Sequence, residues 1–173
     1  MWKKYFLNQI IVIACMSLSA NNLSAQVKST TFNVTLKLLL NSNTPVINVA
    51  DAALAEKYYF FLDARELNEY NISRLQNARW VGDKTFDIKS IKDLAKNKPI
   101  IVYCSIGKRS EKVAIALNNA GYTNVKNLYG GIFEWVNAGH KVYNNKHMLT
   151  DSVHAYNHFW GQWLSNGIKV YDK

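Results

Sequence analysis

The sequence predicts an α/β fold, a central and mostly parallel sheet with helices on both faces, and three observations lead to it. Short apolar runs rich in β-branched residues recur along the chain and alternate with helical spacings, the pattern of strand–helix–strand units. The run at residues 99–103, Pro-Ile-Ile-Val-Tyr, has no polar position and so reads as a strand buried on both faces. From Ser110 the spacing Val113, Ala116, Leu117, Ala120 gives one apolar helix face that stops at Gly121. Between that strand and that helix stands Cys104, followed by Ser105, Ile106, Gly107, Lys108, Arg109 and Ser110.

The other elements follow in order. Residues 1–25 begin with Lys3 and Lys4, continue through an apolar stretch and end in Leu23-Ser24-Ala25, the order of a secretory signal peptide. Cleavage after Ala25 is preferred; lipidation at Cys15 or a retained anchor are the alternatives, and only these two would bring a membrane partner. Residues 26–43 read as a tether ending in a short element that covers the domain, residues 44–143 as the domain, and residues 144–173 as an extension packed on it. Within the domain, strands are expected at 45–49, 57–62, 79–81, 99–103 and 125–128. Helices are expected at 51–56, 85–95, from Ser110 to Gly121, and at 131–139, with Phe133, Trp135 and Val136 turned inward. Residues 135–143 resemble residues 163–171 at an offset of 28, which reads as a repeated device of a tryptophan-docked helix, a glycine stop and an extended Val-Tyr arm. The last segment, with Phe159, Trp160 and Trp163, is too apolar for a free linker and is expected to pack on the core or narrow the mouth of the site.

Composition excludes several function classes. The formal charge of +9, or +7 once Lys3 and Lys4 are removed, is spread along the chain without a block, which fits attraction of small anions and gives no nucleic-acid footprint. The two cysteines, Cys15 and Cys104, form no C-x-x-C, and processing or lipidation at Cys15 leaves one free thiol. His154 and His158 are four apart and would share a helix face, but no third ligand stands nearby, so no metal is assigned.

The chemistry converges on Cys104. At a strand's carboxyl end and a helix's amino end, loop N–H groups, the helix dipole and the charges of Lys108 and Arg109 favour the thiolate, which is the nucleophile. The same donors would hold a small anion delivered to the sulfur. A buried strand-end cysteine beside a solvated turn is the plainer alternative.

The segment resembles the active-site loop of the rhodanese-like sulfurtransferases. Asp63-Ala64-Arg65-Glu66 with Glu69-Tyr70 is similar to that family's D-x-R-E-x-x-E-[FY] segment, and Tyr129-Gly130-Gly131 with Trp135 to its closing G-G-x-x-x-W. The spacing from Cys104 to Arg109 is C-x4-R, one residue shorter than the C-x5-R loop of related phosphatases. Residues 73–78, Ser-Arg-Leu-Gln-Asn-Ala, depart from the family's G-H-I-x-G-A, although Asn77 can supply a left-handed turn. The resemblance implies a rhodanese-like fold in which Cys104 carries sulfane sulfur as a persulfide from a small anionic donor to a thiol acceptor. The donor is held by Lys108, Arg109 and the amides of residues 105–110, and no cofactor is implied. Asp63 and Arg65 are expected either to form a structural ion pair that caps the strand and anchors the following turn with Glu66 or Glu69, or to help shape the site. A non-catalytic module that binds an anion or a partner, and a single-thiol redox relay, are the other functions this sequence admits.

Overall fold

In the computed structural model, residues 27–41 and 43–172 are described; residues 1–25, expected to be a signal peptide, and with them Cys15, lie outside the described residues. Five parallel strands form the central sheet in the order β1-β5-β4-β2-β3: β1 (Val46–Ile47), β2 (Phe60–Asp63), β3 (Arg79–Trp80), β4 (Ile100–Tyr103) and β5 (Val125–Leu128). The chain runs outward from β2 to β3, returns to β4 on the other side of β2 and continues to β5. The order therefore reverses between β2 and β4, and the crevice beyond their carboxyl ends is where open α/β sheets take ligands. Asp63 and Cys104 stand at that edge.

Strand β4 explains why the run at 99–103 has no polar residue. Ile100 and Val102 enter one core with Leu62, Ile91, Val113, Ala114 and Leu117; Ile101 and Tyr103 enter the opposite core with Phe61, Leu75, Ile132, Phe133 and Trp135. Successive side chains alternate between faces, so a strand covered on both sides must be apolar throughout. Helices α2 (Val49–Leu54) and α5 (Gly131–Asn137) pack on one face and α4 (Lys108–Asn119) on the other. Helix α3 (Leu67–Ile72) follows β2 and is closed by a capping box between Glu66 and Glu69. The amino-terminal cover is helix α1 (Thr30–Leu39), capped by Ser29 and burying Phe32 and Leu36.

Several expectations are corrected. The helix at 85–95 is only a 3₁₀ turn, Ile88–Ile91, because the segment is pinned at separate points: Asp87 accepts from the Lys89 amide, and Ile91 is drawn inside, where its carbonyl accepts from the Tyr122 hydroxyl. Helix α4 begins two residues earlier than Ser110 and buries Ser110, Val113, Ala114 and Leu117, with Ala116 partly exposed. The similarity of residues 135–143 and 163–171 is not a repeated helix. Gly139 and Gly167 both take positive φ, but Trp163 lies in a turn and Val142 pairs with β7 (Leu149–Thr150), whereas Val170 pairs with β8 (Ser152–His154). The two stretches instead bind each other: Asn137 donates to the Trp163 carbonyl and accepts from the Ser165 amide. His154 and His158 do not share a helix, since β8 ends at His154 and Asn157 caps α6 (His158–Gly161) through the Trp160 amide.

Asn77 takes φ 56°, so the left-handed turn of the 73–78 corner survives without its glycines. Trp163 stacks on Phe32 with ring centroids 5.1 Å apart, joining the carboxyl-terminal segment to α1. Among the described residues, no helix is long and apolar enough to cross a membrane.

The end of β2 is fixed by a buried ion pair. Arg65 donates to both Asp63 oxygens, the shortest contact being 2.6 Å, and to the Ser73 carbonyl, and both side chains are fully buried. Neither Glu66 nor Glu69 is its hydrogen-bonding partner. Burial works against the Arg65 charge, but the Asp63 carboxylate outweighs it and raises the guanidinium pKa above its ordinary value. Removing one member strands the other charge in the core, so Asp63→Ala should cost about 3–5 kcal/mol; a urea melt showing less than about 1 kcal/mol would contradict this.

Candidate functional site

The loop that carries Cys104 is held from three sides. From below, Gly131, at φ 58°, lets α5 approach so closely that a β-carbon there would stand 2.3 Å from the Cys104 carbonyl oxygen and 2.6 Å from that of Ser105. Those same carbonyls accept from the amides of Ile132 (2.9 Å) and Phe133 (3.1 Å), so the second glycine of the Gly-Gly pair is the condition for docking α5 against the loop. From behind, the Asn127 side chain donates to the Gly107 carbonyl (2.9 Å) and accepts from the Ser110 hydroxyl (2.7 Å). From the side, Glu69 of α3 reaches across to the loop.

Glu69 is 1% exposed. Its carboxylate takes both Arg109 nitrogens, one at 2.8 Å, together with the Ser105 hydroxyl at 3.1 Å and the Glu66 amide at 3.0 Å. Arg109 also donates to the Ser105 hydroxyl at 2.9 Å and lies over the Tyr156 ring, 4.8 Å from its centroid. Burial alone would raise the Glu69 carboxyl, but the Arg109 hydrogen bond and charge outweigh it and hold it below the usual carboxylate range. Burial likewise opposes the Arg109 charge, but the Glu69 hydrogen bond and charge outweigh it and leave the guanidinium above its ordinary value.

Cys104 ends β4 with its sulfur accepting the Gly107 amide at 3.2 Å. Gly107 takes φ 112° as the cap of α4, and a helix beginning at Lys108 leaves the N–H groups of Lys108, Arg109 and Ser110 without intrahelical acceptors. The cysteine is 1% exposed but lines a cavity of about 150 Å³ with Ser105, Ile106, Lys108, Arg109, Leu39, Tyr156 and Trp160.

Of the residues singled out in the sequence, Cys104, Ser105, Ile106, Lys108 and Arg109 therefore meet around one cavity. Gly107 gives its amide to the sulfur, and Ser110 is turned to Asn127. The Lys108 ammonium is directed to the Leu39 carbonyl (2.8 Å) and Glu111 (2.9 Å). Asp63 and Arg65 do not line the cavity. Glu69 as the partner of Arg109, Asn127 behind the loop, and Leu39, Tyr156 and Trp160 at its walls are not indicated by local spacing. Among the described residues no cluster of three metal-ligating side chains occurs; His154 accepts from the Tyr156 amide, and His158 stacks on Tyr171.

Comparison with known proteins accords with this geometry. Residues 46–138, more than half of the chain, match the rhodanese-like domain. A tRNA uridine(34) hydroxylase of the aster yellows witches'-broom phytoplasma is 38% identical over 88 residues, 48% of this chain and 29% of the hydroxylase. The chain thus spans under a third of the length of such curated relatives. Among solved structures, a rhodanese-related protein from Thermoplasma volcanium superposes with a TM-score of 0.51 at 30% identity, covering 57% of this chain and 96% of the other. A thiosulfate sulfurtransferase from Pseudomonas aeruginosa shares the fold at 22% identity, with a TM-score of 0.52 over 58% of this chain and 20% of its own. With its cysteine loop, its Gly-Gly docking and its five parallel strands in one frame, the chain belongs to the rhodanese-like domain family.

Proposed function

We infer that this chain is a sulfurtransferase that carries sulfane sulfur on Cys104. The observation that carries this function is the position of the sulfur: on the wall of a cavity, one amide already bonded to it, and the first turn of α4 beginning at Lys108. The Cys104 thiolate attacks the outer sulfur of a donor such as thiosulfate. The donor's S–S bond breaks, sulfite leaves with the electron pair, and the new S–S bond makes a Cys104 persulfide. The unpaired amides of residues 108–110 stabilise the terminal sulfur anion. A thiolate acceptor, or cyanide in an assay, then takes that terminal sulfur and returns Cys104 as thiolate. The four-residue spacing between Cys104 and Arg109 supports a donor with a terminal sulfur over a phosphate ester.

The Glu69 network supports a fixed cradle. With Arg109 clamped at both nitrogens, the loop keeps its shape whether the cavity holds a donor or not. A module that only bound an anion through Lys108 and Arg109 fits less well, because both cations already have acceptors. We place the protein outside the cytoplasm, on the charged, apolar and small-residue order of residues 1–25, with residues 26–43 and 144–173 as flanks of the domain at 44–143. The hydroxylase relatives share one domain with this chain, and their activity is not carried over.

Incubation with thiosulfate should add one sulfur to the intact mass and release sulfite, and Cys104→Ser should abolish both the addition and turnover to cyanide. Addition of sulfur to Cys104→Ser would refute the function, as would failure of the unaltered chain to take sulfur from either thiosulfate or an organic thiosulfonate. Because the Glu69 carboxyl is lowered by folding, its stabilisation is fully present above its unfolded pKa of about 4.3 and is lost as pH falls through the lower folded value. Glu69→Gln should accordingly be less stable at neutral pH and show a shallower loss of stability below about pH 4.3 than the unaltered chain; parallel acid limbs in urea melts would contradict the assignment.

A further inference from the structure

The cavity above Cys104 is built from chemistry that does not suit a small, doubly charged inorganic donor. Its two cations are compensated: Arg109 by the buried Glu69 carboxylate, and Lys108 by Glu111 and the Leu39 carbonyl. Ser105 also lines it, its hydroxyl engaged by Glu69 and Arg109, and the other four walls, Leu39, Ile106, Tyr156 and Trp160, are apolar or aromatic. Three of these four lie outside the family match at residues 46–138: Leu39 from the end of α1, and Tyr156 and Trp160 from the carboxyl-terminal segment.

Those three walls are held in place. Tyr156 takes φ 65°, with its amide bonded to His154 and its ring under Arg109; Trp160 packs against the main core with the Phe159 ring on its edge; α1 is tied to the carboxyl-terminal segment by the Phe32–Trp163 stack. At about 150 Å³ the space matches one that admits a single benzene-sized group. The geometry points to an organic sulfane-sulfur donor carrying one negative charge and one apolar, ring-sized substituent, seated on Leu39, Tyr156 and Trp160 with its terminal sulfur at Cys104.

This substrate class rests on the sulfur-transfer function proposed above, and the chemistry is parallel. For an aryl thiosulfonate, the Cys104 thiolate attacks the terminal sulfur, the S–S bond breaks, and the sulfinate leaves with the electron pair. One anion enters and one leaves, where thiosulfate brings in two negative charges and sulfite takes two away. An anion with a single charge asks less of a cavity whose cations are already neutralised, and its substituent removes apolar wall from water.

The test compares three donors on the full chain: benzenethiosulfonate, methanethiosulfonate and inorganic thiosulfate. The two thiosulfonates share charge and leaving-group chemistry and differ in the ring. Benzenethiosulfonate should exceed methanethiosulfonate in kcat/KM by about tenfold. Trp160→Ala should bring that ratio close to one. Leu39→Lys, a change at a partly exposed wall that adds a free cation, should shift the benzenethiosulfonate-to-thiosulfate ratio about tenfold toward thiosulfate. If thiosulfate loads Cys104 while the two thiosulfonates differ by less than twofold, or if the ratios hold in both variants, the substrate class is wrong and sulfur transfer stands. If none of the three donors adds a sulfur to Cys104, both proposals fall together.

Discussion

The buried carboxylate of Glu69 is the constraint on which the site depends. It belongs to α3, on the β2 side of the sheet, whereas Ser105 belongs to the loop after β4 and Arg109 to the first turn of α4, so the contact ties two neighbouring crossover connections together. Its own helix shares it, since the Glu66 amide also binds it and closes the capping box. A carboxylate at this depth is tolerated only because a bidentate guanidinium, a hydroxyl and an amide meet it together. Removing the guanidinium would leave a buried charge without its partner, which makes Arg109 as much a structural residue as a candidate for donor binding.

The loop is therefore preorganised by groups that compensate one another. Lys108 and Arg109 suggest an open positive patch when read in sequence, but each faces an acid in the folded chain. What the sulfur itself accepts is the Gly107 amide, and the N–H groups at the start of α4 lack intrahelical acceptors. Backbone amides held by a sheet and two helices are fixed before any charge meets them. Gly131 belongs to the same device, because its missing β-carbon lets α5 grip the carbonyls of Cys104 and Ser105 and so fixes the loop from below.

What could be read from the sequence was whatever depends on local pattern. Strand β4 declared itself because both of its faces are covered, the stop of α4 because Gly121 can take φ 86°, and the cysteine loop because its residues are contiguous. The 85–95 stretch has a helical spacing, yet Asp87 and Tyr122 hold its backbone at separate points and only a single 3₁₀ turn forms. Glu69, Asn127, Leu39, Tyr156 and Trp160 gain their importance from partners 20 to 70 residues away, or from a cavity that exists only after folding. Charged motif residues likewise reveal that a cation is present and conceal whether it is free.

The altered corner at residues 73–78 shows how a missing motif can be replaced by contacts from outside it. Asn77 supplies the left-handed turn, while Arg74 exchanges both backbone hydrogen bonds with Tyr143 and places its guanidinium over the Tyr70 ring. Arg65 then finds its second acceptor in the Ser73 carbonyl, so the corner still anchors the end of β2. Tyr143 belongs to β6 (Val142–Tyr143), which pairs with β7, and Leu164 and Trp163 from further along pack into the same core face as Leu75 and Phe32. The segments beyond the matched domain thus brace the altered corner, cover one sheet face and wall the cavity over Cys104. A change that loosened them would reach the sulfur through packing, even though none of their side chains touches it in a hydrogen bond.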